Sequence, residues 1–156
     1  MARIDYYHDP AAPKANNIVV AVTAFVLDES DRVLMIRRTD SGLYAIPGGA
    51  QEIGETISYT VVREVKEETG IDVEPTGVIG IYTDPQHVIA FTDGEVRQEF
   101  SVCFRARPTG GALRTSNESS EAIWVDRSQL DNLDIHPSIR LRIEHGYTNK
   151  AHPYYS

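Results

Sequence analysis

What this chain has little of narrows the field first. It holds one cysteine, Cys103, among 156 residues, which excludes an internal disulfide framework and a cysteine-clustered zinc site. Cys103 lies in the apolar run Phe100-Ser-Val-Cys-Phe104 and is expected as a buried core thiol rather than a nucleophile. No apolar stretch approaches the roughly 20 residues that span a bilayer, and Met1-Ala-Arg-Ile-Asp-Tyr-Tyr-His8 lacks the apolar core of a secretory signal. No membrane partner and a cytoplasmic location are therefore expected. Positive charge is also short: 15 Lys and Arg face 23 Asp and Glu, a net charge of −8. A nucleic-acid backbone calls for clustered Lys and Arg, so no nucleic-acid partner is expected. An acidic site can instead hold cations, and those cations can hold a small phosphorylated ligand.

The chain carries neither an internal repeat nor a low-complexity tract, and its length suits one domain. Residues 1–17 read as an N-terminal arm, irregular from Tyr6 on because turn formers crowd 6–17. Residues 18–146 read as the domain and 147–156 as a loosely held tail. Ile18 to Leu27 is apolar and rich in β-branched residues, as in a strand buried on both faces, and it forms a hairpin with Val33–Arg38 across Asp28-Glu-Ser-Asp-Arg32. Gly48 and Gly49 then open an acidic loop. From Thr56 to Thr69 the spacing turns helical, with Ile57, Val61 and Val65 at i, i+4, i+8 and Gly70 placed as a C-terminal cap. Strands are predicted at 71–83, 99–107 and 121–125, with a loop over 84–98. A short helix follows at 127–133, and Pro137 opens a last one over 138–145. This mixed order predicts one α/β domain with a mixed sheet.

The predicted helix carries the chemistry. Glu64, Glu67 and Glu68 fall at i, i+3 and i+4, on one side beside the apolar stripe. Like charges at this spacing destabilise a helix by a few tenths of a kcal/mol per pair, which divalent cations would offset; hard oxygen ligands suit Mg²⁺ or Mn²⁺. An acidic solvated face is the plainer reading of the triad alone. Upstream, glycines at 48 and 49 let the backbone approach a ligand closely. Arg63 paired with Glu55 would pin the loop to the helix.

Gly49, five residues, Glu55, seven residues, Arg63-Glu64-Val65, one residue, Glu67-Glu68, one residue, Gly70-Ile71: this pattern resembles the Nudix box at every defined position. A chance match at a given start is on the order of 10⁻⁹. The resemblance implies a Nudix-type α/β/α sandwich with a mixed β-sheet and a metal-dependent pyrophosphohydrolase. It implies Glu64 and Glu68 as metal ligands, Glu67 bridging or assisting, the Gly48 carbonyl as a backbone ligand, and Gly49, Glu55, Arg63 and Gly70 as the structural frame. A bound cation would neutralise a diphosphate and lower the pKa of a water for in-line attack on phosphorus.

The box leaves the general base open. Glu118 and Glu121, before and at the start of the predicted strand with Trp124, are the two candidates. It also leaves the substrate open. Pro85 lies fourteen positions after Ile71, near the proline that follows the box in ADP-ribose pyrophosphatases. Arg38, Tyr44, Tyr82, His87 and Arg97 are candidates for contacting a base, ribose or phosphate. The expected substrate is a small nucleoside diphosphate derivative, ADP-ribose or an NDP-sugar first. The alternatives are a (d)NTP pyrophosphohydrolase of nucleotide-pool cleansing and, in another class, a non-catalytic nucleotide-binding Nudix module. That module would be expected to lose box carboxylates, and here all four remain. Tyr6-Tyr7 and Pro153-Tyr-Tyr155 are sticky enough to dock on a second copy, so a homodimer is one assembly the sequence allows.

Overall fold

The computed structural model describes residues 3–156. In chain order the strands are β1 (Arg3–Tyr7), β2 (Asn17–Ile18), β3 (Ala21–Val26), β4 (Val33–Arg38), β5 (Tyr44–Ala45) and β6 (Gly48–Ala50), followed by helix α1 (Ile57–Thr69). Then come β7 (Ile71–Tyr82), β8 (His87–Phe91), β9 (Val96–Gln98), β10 (Ser101–Gly111) and β11 (Ser119–Val125). A 3₁₀ turn at Arg127–Asn132, helix α2 (Pro137–Thr148) and β12 (Tyr154–Tyr155) complete the chain.

A five-stranded sheet in the order β12-β7-β10-β3-β6 forms the centre. β3 and β10 run parallel, while β10 with β7 and β3 with β6 run antiparallel. Alternation along β3 explains why helices cover both faces. Val22, Ala24 and Val26 pack with Val61 and Val65 of α1, and Phe25 packs on the other side with Ile143 of α2. β4 divides likewise, with Leu34 in the first core and Val33 and Met35 in the second. The expected α/β sandwich with a mixed sheet is what the chain forms. No helix among the described residues is long and apolar enough to cross a membrane.

Four expectations need correction. Tyr6 and Tyr7 are not irregular: they end β1, which pairs antiparallel with β8. The predicted loop over 84–98 contains the β8–β9 hairpin around Asp93-Gly94. The tail is tied down, since β12 pairs with β7 and the Ser156 N–H donates to the Ile81 carbonyl. The predicted helix at 127–133 is a 3₁₀ turn.

Gly146, inside α2, is explained by packing. A Cβ there would lie 2.6 Å from the Phe25 ring, which is fully buried and set edge-on to Tyr147. Alanine favours a helix by about 0.8–1.0 kcal/mol over glycine, but overpacking a buried ring costs about 1–3 kcal/mol. Gly146→Ala should therefore destabilise the fold, seen as a lower denaturant midpoint at unchanged slope.

Candidate active site

The site forms where α1 crosses the edge strand β6. Thr56 starts the helix, its hydroxyl accepting from the Tyr59 N–H, and Gly70 ends it at φ 79°. Between these caps the acidic side chains separate. Glu64 and Glu68 are 9% and 3% exposed, whereas the Glu67 side chain is 57% exposed. The Gly48 N–H donates to Glu68 Oε2 at 3.2 Å. Burial pushes the Glu68 carboxyl up to about 8, with the charges of Glu64 and Glu118 adding to it against Gly48 and Arg38. Burial likewise raises Glu64 to about 6, against the neighbouring Arg63.

Arg63 is shared among the acids. Its Nε and Nη2 grip Glu55 at 2.6 and 2.8 Å, and Nη1 reaches Glu64 at 2.9 Å and Glu67 at 3.3 Å. That fork fixes the loop after β6 to the helix and holds Glu55 at about 2. Glu68 receives no such guanidinium. Two buried carboxylates of like charge, one without a paired cation, fit a divalent ion with a preference for hard oxygen ligands, Mg²⁺ or Mn²⁺.

Beside this edge lies a cavity of about 190 Å³, lined by Gly48, Gly49 and Ala50 at one part and by Asp5, His87 and His136 at another. Of the residues singled out from sequence, Arg38, Tyr44, His87 and Arg97 line it. Arg38 grips Asp40 through Nε and Nη2 at 2.9 and 2.7 Å, yet its charge is also felt by Glu68. Glu118 is exposed on the loop before β11, near enough to raise both Glu64 and Glu68. Glu121 accepts a hydrogen bond from the Tyr44 hydroxyl.

Tyr82 and Pro85 are not brought to this cavity. Tyr82 is buried in the α2-side core, its hydroxyl 2.7 Å from His145 Nδ1, and both it and Pro85 line a second depression that meets the cavity at Glu99, Ser138 and Arg142. Sequence reading missed Arg3, Asp5, Glu99, His136 and Arg142, all of which line the cavity. It also missed Ser119, whose hydroxyl donates to the Glu68 carbonyl at 2.7 Å and ties β11 to the helix.

A family model for the NUDIX domain matches residues 17–145. The chain belongs to the Nudix family. Among its Nudix relatives, a MutT-like protein of Streptomyces ambofaciens is 40% identical over 71% of this chain and 66% of its own length. The 8-oxo-dGDP phosphatase NUDT18 of Homo sapiens is 36% identical, over 78% of this chain and 37% of its own. An ADP-ribose pyrophosphatase of Methanocaldococcus jannaschii is 32% identical, over 69% and 62%. The chain thus spans less than two thirds of the length of each of these three relatives. A solved ADP-ribose pyrophosphatase from Streptococcus suis superposes with a TM-score of 0.69 at 20% identity, covering 90% of this chain and all of that one. The Nudix domain of Shewanella oneidensis NrtR, complexed with ADP ribose, gives 0.64 at 19% identity, over 85% of this chain and 88% of that one. These two likenesses concern the fold.

Proposed function

We propose that the chain hydrolyses the diphosphate linkage of a nucleoside diphosphate derivative, with ADP-ribose or an NDP-sugar as the first substrates to try. The observation that carries this reading is the pair of buried carboxylates, Glu64 and Glu68, against the Gly48–Gly49 edge of a cavity that Arg38 and Arg97 also line. Glu64, Glu68 and the Gly48 carbonyl would hold Mg²⁺ or Mn²⁺, with the exposed Glu67 assisting. When bound, the cation neutralises the diphosphate and acidifies the attacking water. Arg38 orients a phosphate oxygen. Glu118 takes the proton of the water as its oxygen attacks phosphorus and the bridging P–O bond breaks. Glu121 is the second choice for that role, because its carboxylate is already engaged by Tyr44.

The sugar-diphosphate reading draws support from the relative named ADP-ribose pyrophosphatase. Pro85 no longer supports it, lying outside the cavity. A second reading, cleavage of a free nucleoside di- or triphosphate, is favoured by the relative named 8-oxo-dGDP phosphatase. The test is incubation with Mg²⁺ and a panel of ADP-ribose, NDP-sugars, nucleoside diphosphates and (d)NTPs, with products identified by chromatography. Release of AMP from ADP-ribose, or NMP from an NDP-sugar, supports the first reading. Orthophosphate or pyrophosphate from free nucleotides supports the second. EDTA should abolish either activity, and Mg²⁺ or Mn²⁺ should restore it. Persistent turnover in chelator would remove the metal-dependent reading. A folded protein that binds nucleotide with no turnover on any of the panel would be a binding module. The cation should also raise the unfolding midpoint, by an amount worth about 2.7 kcal/mol at one hundred times its Kd.

A further inference from the structure

A second cluster stands in the same cavity, built from three distant parts of the chain. Asp5 comes from β1, His87 from β8, and His136 from the residue that precedes α2. One ligand atom from each lies within 4.8 Å of the other two.

His87 is 7% exposed, and among the described residues neither of its ring nitrogens has a hydrogen-bond partner. Its Nδ1 lies 3.2 Å from Glu99 Oε1 without hydrogen-bond alignment. Its Nε2 lies 3.9 Å from Asp5 Oδ1, another buried atom lacking a partner. Leaving such atoms unpaired costs about 1–3 kcal/mol each, so the arrangement calls for an occupant.

The spacing says what kind. At 3.9 Å the Asp5–His87 approach is too long for a hydrogen bond. Ligands at about 2.0–2.1 Å from a four-coordinate ion stand roughly 3.3–3.4 Å apart. A closing movement of under about 1 Å would bring this pair to that distance. Glu99 Oε1, the oxygen facing His87, accepts from Arg142 Nη2 at 2.6 Å, whereas Arg3 reaches the other oxygen of Asp5, Oδ2, at 3.4 Å, which leaves Asp5 Oδ1 as the anionic ligand atom.

His136 has a hydroxyl beside it that can orient such a ligand. Its Nδ1 lies 2.8 Å from Ser138 Oγ and accepts from the Ser138 N–H at 3.2 Å, which places the proton of the neutral ring on Nε2. An ion on Nε2 would displace that proton and shift the ring to the tautomer protonated at Nδ1. Nδ1 would then donate to Ser138 Oγ in place of accepting from the Ser138 N–H, the outer-shell contact that orients metal-bound imidazoles.

We propose that Asp5, His87 and His136 form a second cation site, distinct from the glutamates of α1, for a divalent ion that prefers imidazole, of the Zn²⁺ or Co²⁺ type. Two imidazoles and one carboxylate select this class over Mg²⁺, which prefers oxygen. The three residues leave a fourth position for water or a ligand atom. The proposal does not depend on the activity.

The experiment is a Co²⁺ titration of the full chain followed by visible absorption, which is strong for four-coordinate Co²⁺ with nitrogen ligands. The wild type and the Glu64→Gln/Glu68→Gln double variant should both take up one equivalent with that absorption. His136→Gln and Asp5→Asn, both at half-buried positions, avoid the folding risk of altering buried His87. Each should weaken this binding by more than the ~10–100-fold typical of losing an outer-shell partner, while circular dichroism stays unchanged. Two results would overturn the proposal: absorption lost in the double glutamate variant yet kept in His136→Gln, or no four-coordinate spectrum in any folded form, which would leave the cluster to water.

Discussion

Glu68→Gln is expected to lower turnover by several orders of magnitude while leaving the metal-free fold as stable as before, or more so. Both halves follow from one fact. Glu68 is 3% exposed, and its carboxyl is pushed up to about 8, chiefly by burial. A group arranged this way costs stability when it ionises and serves a purpose only when a cation joins it. Glutamine keeps the oxygen that accepts from Gly48 and removes the charge, so the strand-to-helix contact survives while the cation ligand does not. The pH dependence carries a sign. The unfolded chain releases this proton near the ordinary value of 4.5, and the folded chain holds it to about 8. Between those limits the unfolded state binds fewer protons, so wild-type stability falls as pH rises. Glu68→Gln lacks that contribution, and its advantage in chelator should grow across the same window. Urea unfolding at several pH values, beside a turnover assay in Mg²⁺, measures both halves. Near-normal turnover in a folded Glu68→Gln protein would remove this residue from the metal site.

Sequence reading groups Glu64, Glu67 and Glu68 on one side of the helix, yet the same helical spacing separates them. At about 100° per residue, Glu68 falls about 20° from core-facing Val61 and Glu67 about 120° away. Glu68 is accordingly buried and Glu67 exposed. Much of the fold was legible in a similar way: α1, β3 and β4 bury long apolar surfaces, and burial imposes an apolar pattern on the sequence. The far part of the cavity had no such signal. β1 turns Arg3 and Asp5 toward the cavity and leaves Ile4 59% exposed, which inverts the pattern of a core strand. His87, Glu99, His136 and Arg142 meet only through pairings between distant segments, so no local spacing announces them. The β8–β9 hairpin did have a signal, an Asp-Gly turn between short apolar runs. Tyr82 misled in the other direction, because an aromatic near a candidate loop looks the same in sequence whether it faces a ligand or the core.

The adjacent glycines of β6 should respond to alanine in opposite ways. A Cβ on Gly49 would lie 2.3 Å from the Glu64 carboxyl carbon and 2.5 and 2.6 Å from its oxygens. Those atoms end a flexible side chain, so the chain can fold around the intruding methyl by swinging Glu64 aside. The cost then falls on chemistry, because the displaced group is a proposed cation ligand. Misplacing a reacting or positioning group by about 1 Å can cost on the order of 10²-fold in rate. Gly49→Ala should therefore lose at least that much turnover and need more Mg²⁺ to reach half of what remains, with the unfolding midpoint little changed. A Cβ on Gly48 instead meets the Val22 carbonyl oxygen at 2.1 Å and the Thr23 Cα at 2.9 Å. That is the backbone of the strand β6 pairs with, and it cannot swing away. Gly48→Ala should separate β6 from β3 and lower stability by an amount typical of overpacking, about 1–3 kcal/mol, with activity lost as a consequence. Thermal unfolding and a Mg²⁺ titration of turnover on both variants distinguish the two mechanisms. If Gly49→Ala instead unfolds as readily as Gly48→Ala, Glu64 is held by the fold too firmly to yield, and its place beside the glycine is structural before it is chemical.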